Sequence, residues 1–406
     1  MNKPNINKKP WPGAVSLWAI AALMSCFGLA QLAQAVGECT EIASGLNLPV
    51  GTALANLGNL LVSESGTGAN DGRINVIDRN GNLRALIDGL PSGLADVGDP
   101  SGPAGMLMVG RNLYVAIGSG DVDIFSSCPC GGTNIPNPNG PSSPIFSTIL
   151  VIHFNTRAEP TGFSLTMDDQ QALANGQTVT LSNGHGDTIT IRMVVNFPDY
   201  IPFPLDCCPE NVQHSNPYHL VAVGDTLYVT DGGRNLVWQV DVPTQSFSEL
   251  VNFPVIPNPL FPDLGGPFLQ AVPTGIASFG NQLLVTLFRG VPFPTGVSTV
   301  EQVDRFTGSD TELISGRTSA IDVLPIVGRP PGPGRNYLVL QFASEGPFFM
   351  GPGLLLRFSD PASPPTVIAD CLTQPTSMTL NKRTGTLYVS EFDGRVVAIH
   401  TGPIGP

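Results

Sequence analysis

One short frame recurs along the chain and limits the possible folds more than any other feature. It is a Pro, an apolar run, a Gly-containing turn and then a Leu-x-Val run. Its clearest copy is His214–Asp241, HSNPYHLVAVGDTLYVTDGGRNLVWQVD. Gly224-Asp225 and Asp231-Gly232-Gly233 separate three β-rich runs there, and a fourth run, Phe247–Phe253, follows Pro243. Tight Asp/Gly turns between runs of β-branched and aromatic residues predict a four-stranded antiparallel meander. Further copies begin at Pro49, Pro103, Pro273 and Pro375, and one more has Ile321 or Asp322 in the proline place. Six such units predict an all-β chain folded as a six-bladed β-propeller. A lone meander cannot cover both its faces, so each blade must pack on its neighbours.

The last copy ends at His400 after three strands. The missing one is expected at the other end of the chain. CTEIASGLNLP (Cys39–Pro49) matches TVIADCLTQP (Thr366–Pro375), the fourth strand of the fifth unit, so the N-terminal segment is expected to complete blade six. Closing the ring in this way removes a free strand edge. The 46 glycines and 39 prolines fall at the turns between these runs, which suits a closed β fold rather than low complexity.

Met1–Ala35 reads as a secretory signal. Lys3, Lys8 and Lys9 precede the apolar block Ala14–Leu32, and Ala33-Gln34-Ala35 offers a small-x-small cleavage site, so a mature chain from Val36 is expected. The alternatives are a membrane anchor and a lipoprotein signal at Cys26. The apolar run is short and broken by Ser25, Gly28 and Gln31, so no membrane span is expected once the signal is removed. The destination is the periplasm or the exterior. Without the three leader lysines the charge moves from −13 to −16, with 16 basic against 32 acidic residues. Such an acidic chain is a poor partner for nucleic acid or anionic lipid.

Six cysteines remain in the mature chain: Cys39, Cys128, Cys130, Cys207, Cys208 and Cys371. An even number in an exported chain reads as disulfides, and Cys128-Pro129-Cys130 and Cys207-Cys208 lack zinc-site spacing. Cys128, Cys130, Cys207 and Cys208 lie in or beside one long insertion, 126–213, and are expected to bridge among themselves. Cys39 and Cys371 then remain for the closure. Within the insertion, STILVIHF reads as a returning blade strand, MDDQQALA as helical turns, and QTVTLSNGHGDTITIRMVV as a hairpin about Asn183-Gly184.

Aligning the units on their second strands puts Glu64, Ile117, Asp231, Leu287, Gln341 and Glu391 at one repeat position. All six should lie toward the face formed by the fourth-to-first and second-to-third links, here called the first face. Glu64, Asp231 and Glu391, with Asn216 arriving from blade three, form an oxygen-rich set that could hold Ca²⁺ or another divalent ion. The plainer alternative is that acids cap turns. His214, Asn216, Tyr218 and His219 reach the same region, with Arg234 and Arg289 in neighbouring loops as possible partners of an anion. No nucleophile elbow, zincin helix, P-loop or dinucleotide fingerprint is present.

The segments IASGLNLPVGTAL, HSNPYHLVAVGDTLYVTDGGRNLVWQVD, AVPTGIASFGNQLLVTLFRGVPFPTG and LTQPTSMTLNKRTGTLYVSE resemble the ScyD/ScyE family of NHL-type propellers linked to scytonemin biosynthesis. Family members more often carry an acid shortly before the NPY element, where this chain has His214. The insertion hairpin and the extra cysteines also depart from the family. The resemblance implies a secreted six-bladed propeller in an exported pathway, without a defined catalytic mechanism. The expected role is therefore binding or accessory, toward a small-molecule metabolite or a protein partner. The competing reading is an enzyme on the same face, either a metal-dependent lactonase-like hydrolase or a quinone-dependent oxidoreductase.

Overall fold

The computed structural model describes residues 37–128, 131–156, 159–327 and 335–400. They belong to one compact unit, Val36–Pro406; the expected signal segment, Cys130 and the C-terminal tail lie outside the described residues. Among the described residues no helix is long and apolar enough to cross a membrane.

Six antiparallel blades form a β-propeller. Blade three is the simplest, with strands Pro217–Val223, Thr226–Asp231, Leu236–Asp241 and Ser246–Asn252 in sequence order. Blades one, four and five repeat that order from Pro49, Pro273 and Ala320. In blade six, Pro375–Asn381, Thr386–Glu391 and Arg395–His400 are joined by Cys39–Ala43 from the N-terminus. Cys39 pairs with Ile399 and Thr40 with Ala398, and the Cys39–Cys371 disulfide fixes the joint with a Cα separation of 6.0 Å.

Register confirms the repeat position. Pro49 faces Glu64, Pro103 faces Ile117, Pro217 faces Asp231, Pro273 faces Leu287 and Pro375 faces Glu391. In blade five Ala320 faces Gln341, so Ala320 holds the proline place, not Ile321 or Asp322. No proline marks the spot, so the expected position falls one or two residues late.

The 126–213 segment is not a single insertion. Thr148–Phe154 is the third strand of blade two and Thr188–Asn196 its fourth, with Val179–Ser182 added outside as a fifth. The second arm of the expected hairpin is thus blade framework. The true additions are two first-face hairpins and an excursion along the outer edge of blade one, where Phe163–Ser164 pairs parallel with Ile87–Asp88. One hairpin pairs Asp123–Cys128 with Gly131–Pro136; the other pairs Tyr200–Pro202 with Val212–His214. The excursion holds the helix Met167–Ala174, whose first turn is closed by a Thr166/Asp169 capping box.

Turn chemistry explains the strand boundaries. Gly110, Gly224 and Gly280 each open a two-residue turn with φ of 60–62°, which suits glycine and matches the twist of the flanking strands. Alternation along the second strands explains the core. Leu60 and Val62 pack toward blade six while Leu61 packs toward blade two. Leu283 and Val285 pack toward blade three, and Leu284 toward blade five. Both faces of a blade are buried, so these strands read as nearly unbroken apolar runs.

The innermost strands meet closely around the channel. A Cβ at Gly51 would stand 2.2 Å from Ala104 O, one at Gly105 would stand 2.5 Å from Tyr218 O, and one at Gly275 would stand 2.5 Å from Asp322 Cα. All three glycines sit two residues after the proline position. In the other blades that place holds His219, Asp322 and Ser377, so each of the first two side chains is accommodated by a glycine on the preceding blade.

Candidate functional site

Asp231 organises the blade-three edge of the first face. Its carboxylate accepts from Asn216 N at 2.7 Å, Arg234 N at 3.1 Å and Trp238 Nε1 at 2.9 Å, and also from Ser215 Oγ. Fully buried, it uses these donors to fix the chain as it enters blade three. The same task recurs at the other repeat positions. Glu64 accepts from Asn47 N at 2.5 Å and from Asn75 Nδ2; Glu391 accepts from Thr373 N at 2.5 Å and pairs with Arg395 at 3.0 Å. Burial raises the Glu64 and Glu391 carboxyls above their usual range, against these hydrogen bonds and charges.

The structure does not assemble these acids into one centre. Among the described residues, the one His/Cys/Asp/Glu group with ligand atoms all within 4.8 Å is Cys128, Cys207 and Cys208. Glu64, Asp231 and Glu391 cap their own blades' incoming links, and a shared divalent ion does not fit them. The turn-capping alternative describes what they do. Cys128 and Cys208 are joined as a disulfide with a Cα separation of 6.1 Å, tying the two first-face hairpins together.

What the first face does hold is a cavity of about 660 Å³ among the loops of blades two, three and four. His214 and Asn216 line it, while Tyr218, His219, Arg234 and Arg289 do not. The Tyr218 hydroxyl donates to Thr376 O at 3.0 Å across the channel, and burial pushes its pKa up. His219 faces a second cavity of about 360 Å³ at the far mouth of the channel, with Nδ1 buried and unpartnered. Burial raises Asp322, against the His219 charge and bonds from Met378 N and Val323 N. Arg234 lies 5.6 Å from the Trp238 ring centre and 3.7 Å from Glu249. Arg289 donates to Val297 O at 3.3 Å, and burial lowers its pKa against the pull of Glu301. Both arginines are structural and almost covered, at 8% and 6% exposure.

The cavity has an apolar wall and a polar floor. Phe268, Phe288 and Phe293 form much of the wall. Phe288 and Phe293 are locked in an aromatic cluster with Phe342 and Phe349, at centroid distances of 4.2–5.8 Å. Asn235, in the left-handed conformation at φ 57°, accepts from Val272 N at 2.9 Å and also holds Gln270, which positions the wall segment that follows Phe268.

On the floor, His214 Nδ1 lies 2.9 Å from Asp123 Oδ2. Burial works against the imidazolium, but the bond and charge of Asp123, with Asp96 and Asp231 behind it, outweigh this and raise the His214 pKa. Nδ1 is occupied, so Nε2 is the nitrogen available to a ligand. Gly233 lets the blade-three loop close over the ring: a Cβ there would meet His214 O at 2.4 Å and Cδ2 at 2.6 Å. Asn216 Oδ1 accepts from Ser119 N at 3.1 Å, leaving its amide Nδ2 for a ligand. Ser119 Oγ and Asp123 Oδ1 are buried without a partner.

Asp96, Ser119, Asp123 and the three phenylalanines escaped the sequence reading. Their signal was faint: Asp123 sits at the base of the CPC hairpin, and the phenylalanines sit in Pro-rich links. Nothing local couples them to His214.

Fold and cavity together define a six-bladed β-propeller with a ligand-sized cleft on one face. No family model matches the chain, and no curated protein matches it. Among solved structures, it is similar to the PQQ-bound aldose sugar dehydrogenase of Streptomyces coelicolor, at 14% identity and TM-score 0.49, covering 90% of this chain and 98% of that one. A gluconolactonase of Xanthomonas campestris is similar at 10% identity and TM-score 0.48, covering 89% of both chains. A virginiamycin B lyase of Staphylococcus aureus is similar at 11% identity and TM-score 0.45, covering 90% of this chain and 98% of that one.

Proposed function

We propose that this protein is a secreted, ligand-binding propeller, an accessory to an exported metabolite pathway of the ScyD/ScyE kind. It binds a small aromatic molecule in the first-face cavity. The Cys39–Cys371 and Cys128–Cys208 disulfides suit an oxidising, extracytoplasmic compartment. One observation carries the reading: an aromatic wall faces a floor where His214 Nε2, Asn216 Nδ2 and Ser119 Oγ are left for a ligand. A few convergent polar groups in an apolar cleft are what small-molecule recognition requires. Saturation-transfer NMR with naphthalenemethanol tests it. Transfer to the ring protons is expected, and Phe268→Ala, which removes a side chain on a residue 58% exposed, should weaken it with little change in melting temperature. Absence of transfer, or transfer indifferent to Phe268→Ala, sinks the reading.

A second reading rests on the His214–Asp123 pair. A histidine with Nδ1 held by a carboxylate and Nε2 toward a cleft can act as a general acid or base. Such an enzyme would work without the divalent centre, since the three acids are committed elsewhere. A quinone cofactor bearing carboxylates fits poorly, because the cavity lining has no lysine or arginine to meet them.

A further inference from the structure

The charge around the first-face cavity specifies its ligand more narrowly, on the basis of the binding role just proposed. Asp96 lines the cavity and is bonded to neutral donors, Asn134 Nδ2 at 2.7 Å and Val97 N at 3.0 Å. Among the described residues it has no ion-pair partner. Asp231, beneath Asn216, is likewise met by neutral donors. Asp123 shares its charge with His214 alone. Further out, Asp99, Asp206, Glu210, Asp263 and Glu345 are exposed on loops of the same face. The basic residues in the loops of blades three and four, Arg234 and Arg289, are buried and turned away. An anion entering this cavity meets no guanidinium or ammonium; the one lining group that can carry positive charge, His214, is already paired with Asp123, leaving Asp96 and Asp231 in excess.

The wall supplies the complement. Exposed aromatic faces such as Phe268 attract cations as well as rings, by about 0.5–2 kcal/mol depending on desolvation. The floor offers Ser119 Oγ, buried and without a partner, as an acceptor for an N–H group. We infer that the ligand of the first-face cavity is a cation, a protonated amine carried on an aromatic body, and that anionic analogues are rejected. The carboxylates that raise the His214 pKa would by the same attraction stabilise an ammonium. The exposed acids around the rim add steering toward the cleft.

Calorimetric titration of the intact mature chain with naphthylmethylamine, naphthalenemethanol and naphthoate tests this. The amine should bind about tenfold more tightly than the carboxylate at low ionic strength, with the alcohol between, and the gap should narrow as salt screens the field. Asp96→Asn should cut the amine's advantage over the alcohol severalfold; circular dichroism checks that the variant folds. Naphthoate binding as tightly as the amine overturns the inference and leaves the binding role standing, as does an amine preference that neither salt nor Asp96→Asn alters. Failure of all three probes to bind overturns both.

Discussion

His214 and Asp123 stand 91 residues apart in sequence, yet Nδ1 of one lies 2.9 Å from Oδ2 of the other. The contact joins the strand pair that leads into blade three to the hairpin between the second and third strands of blade two. It has a pH signature. The ordinary histidine value is near 6.5 and the folded value is higher. The folded state therefore holds the proton more tightly, and the pair's contribution is fully present below about pH 6.5. It is lost as pH rises through the folded pKa. Urea denaturation across this window should show stability falling in the native chain, with a flatter profile in His214→Gln. Equal slopes in the two proteins would contradict the assignment.

Asp231→Ala strips the acceptor from Ser215, Asn216, Arg234 and Trp238 together. Leaving several buried donors unmet should cost about 3–5 kcal/mol. Asp231→Asn keeps one acceptor oxygen and should cost less. Equilibrium denaturation measures both; an Asp231→Ala chain as stable as the parent would remove the residue from its structural role.

The Cys39–Cys371 disulfide spans 332 residues and ties the closing strand to blade five. Replacing both cysteines with serine should lower stability by about 2–4 kcal/mol, since the bridge constrains a very long loop in the unfolded chain. Calorimetry should show the loss at pH 7. A melting temperature within error of the parent would mean that strand pairing alone closes the ring.

Gly105→Ala would place a methyl group 2.5 Å from Tyr218 O and 2.7 Å from His219 Cα. Backbone cannot yield as a side-chain tip can, so the variant should lose about 2–4 kcal/mol through strain between blades two and three. Gly110→Ala is a poor control because of its positive φ. Gly266→Ala, with nothing within 4 Å of the added carbon, should be near neutral. Similar melting temperatures for Gly105→Ala and Gly266→Ala would refute the close-approach account.

Much of this architecture was legible in the chain itself. Turn glycines, leading prolines and short apolar runs act within a few residues, so six blades and their shared Glu64/Asp231/Glu391 position could be read directly. Ring closure was also legible, because Cys39–Pro49 copies the text of the missing strand. The sequence set the cysteine groups but not which members of the insertion pair; the hairpins had to meet before Cys128 found Cys208. Only the tertiary structure decided the site. Equal repeat positions lie on different blades, so Glu64, Asp231 and Glu391 each find donors at home instead of converging on an ion. The cavity is made by loops from three blades, whose side chains meet only after those blades have packed. That is why Asp96, Ser119, Asp123 and Phe268 carried no local signal, and why two arginines that looked free in the sequence are buried against their own blades.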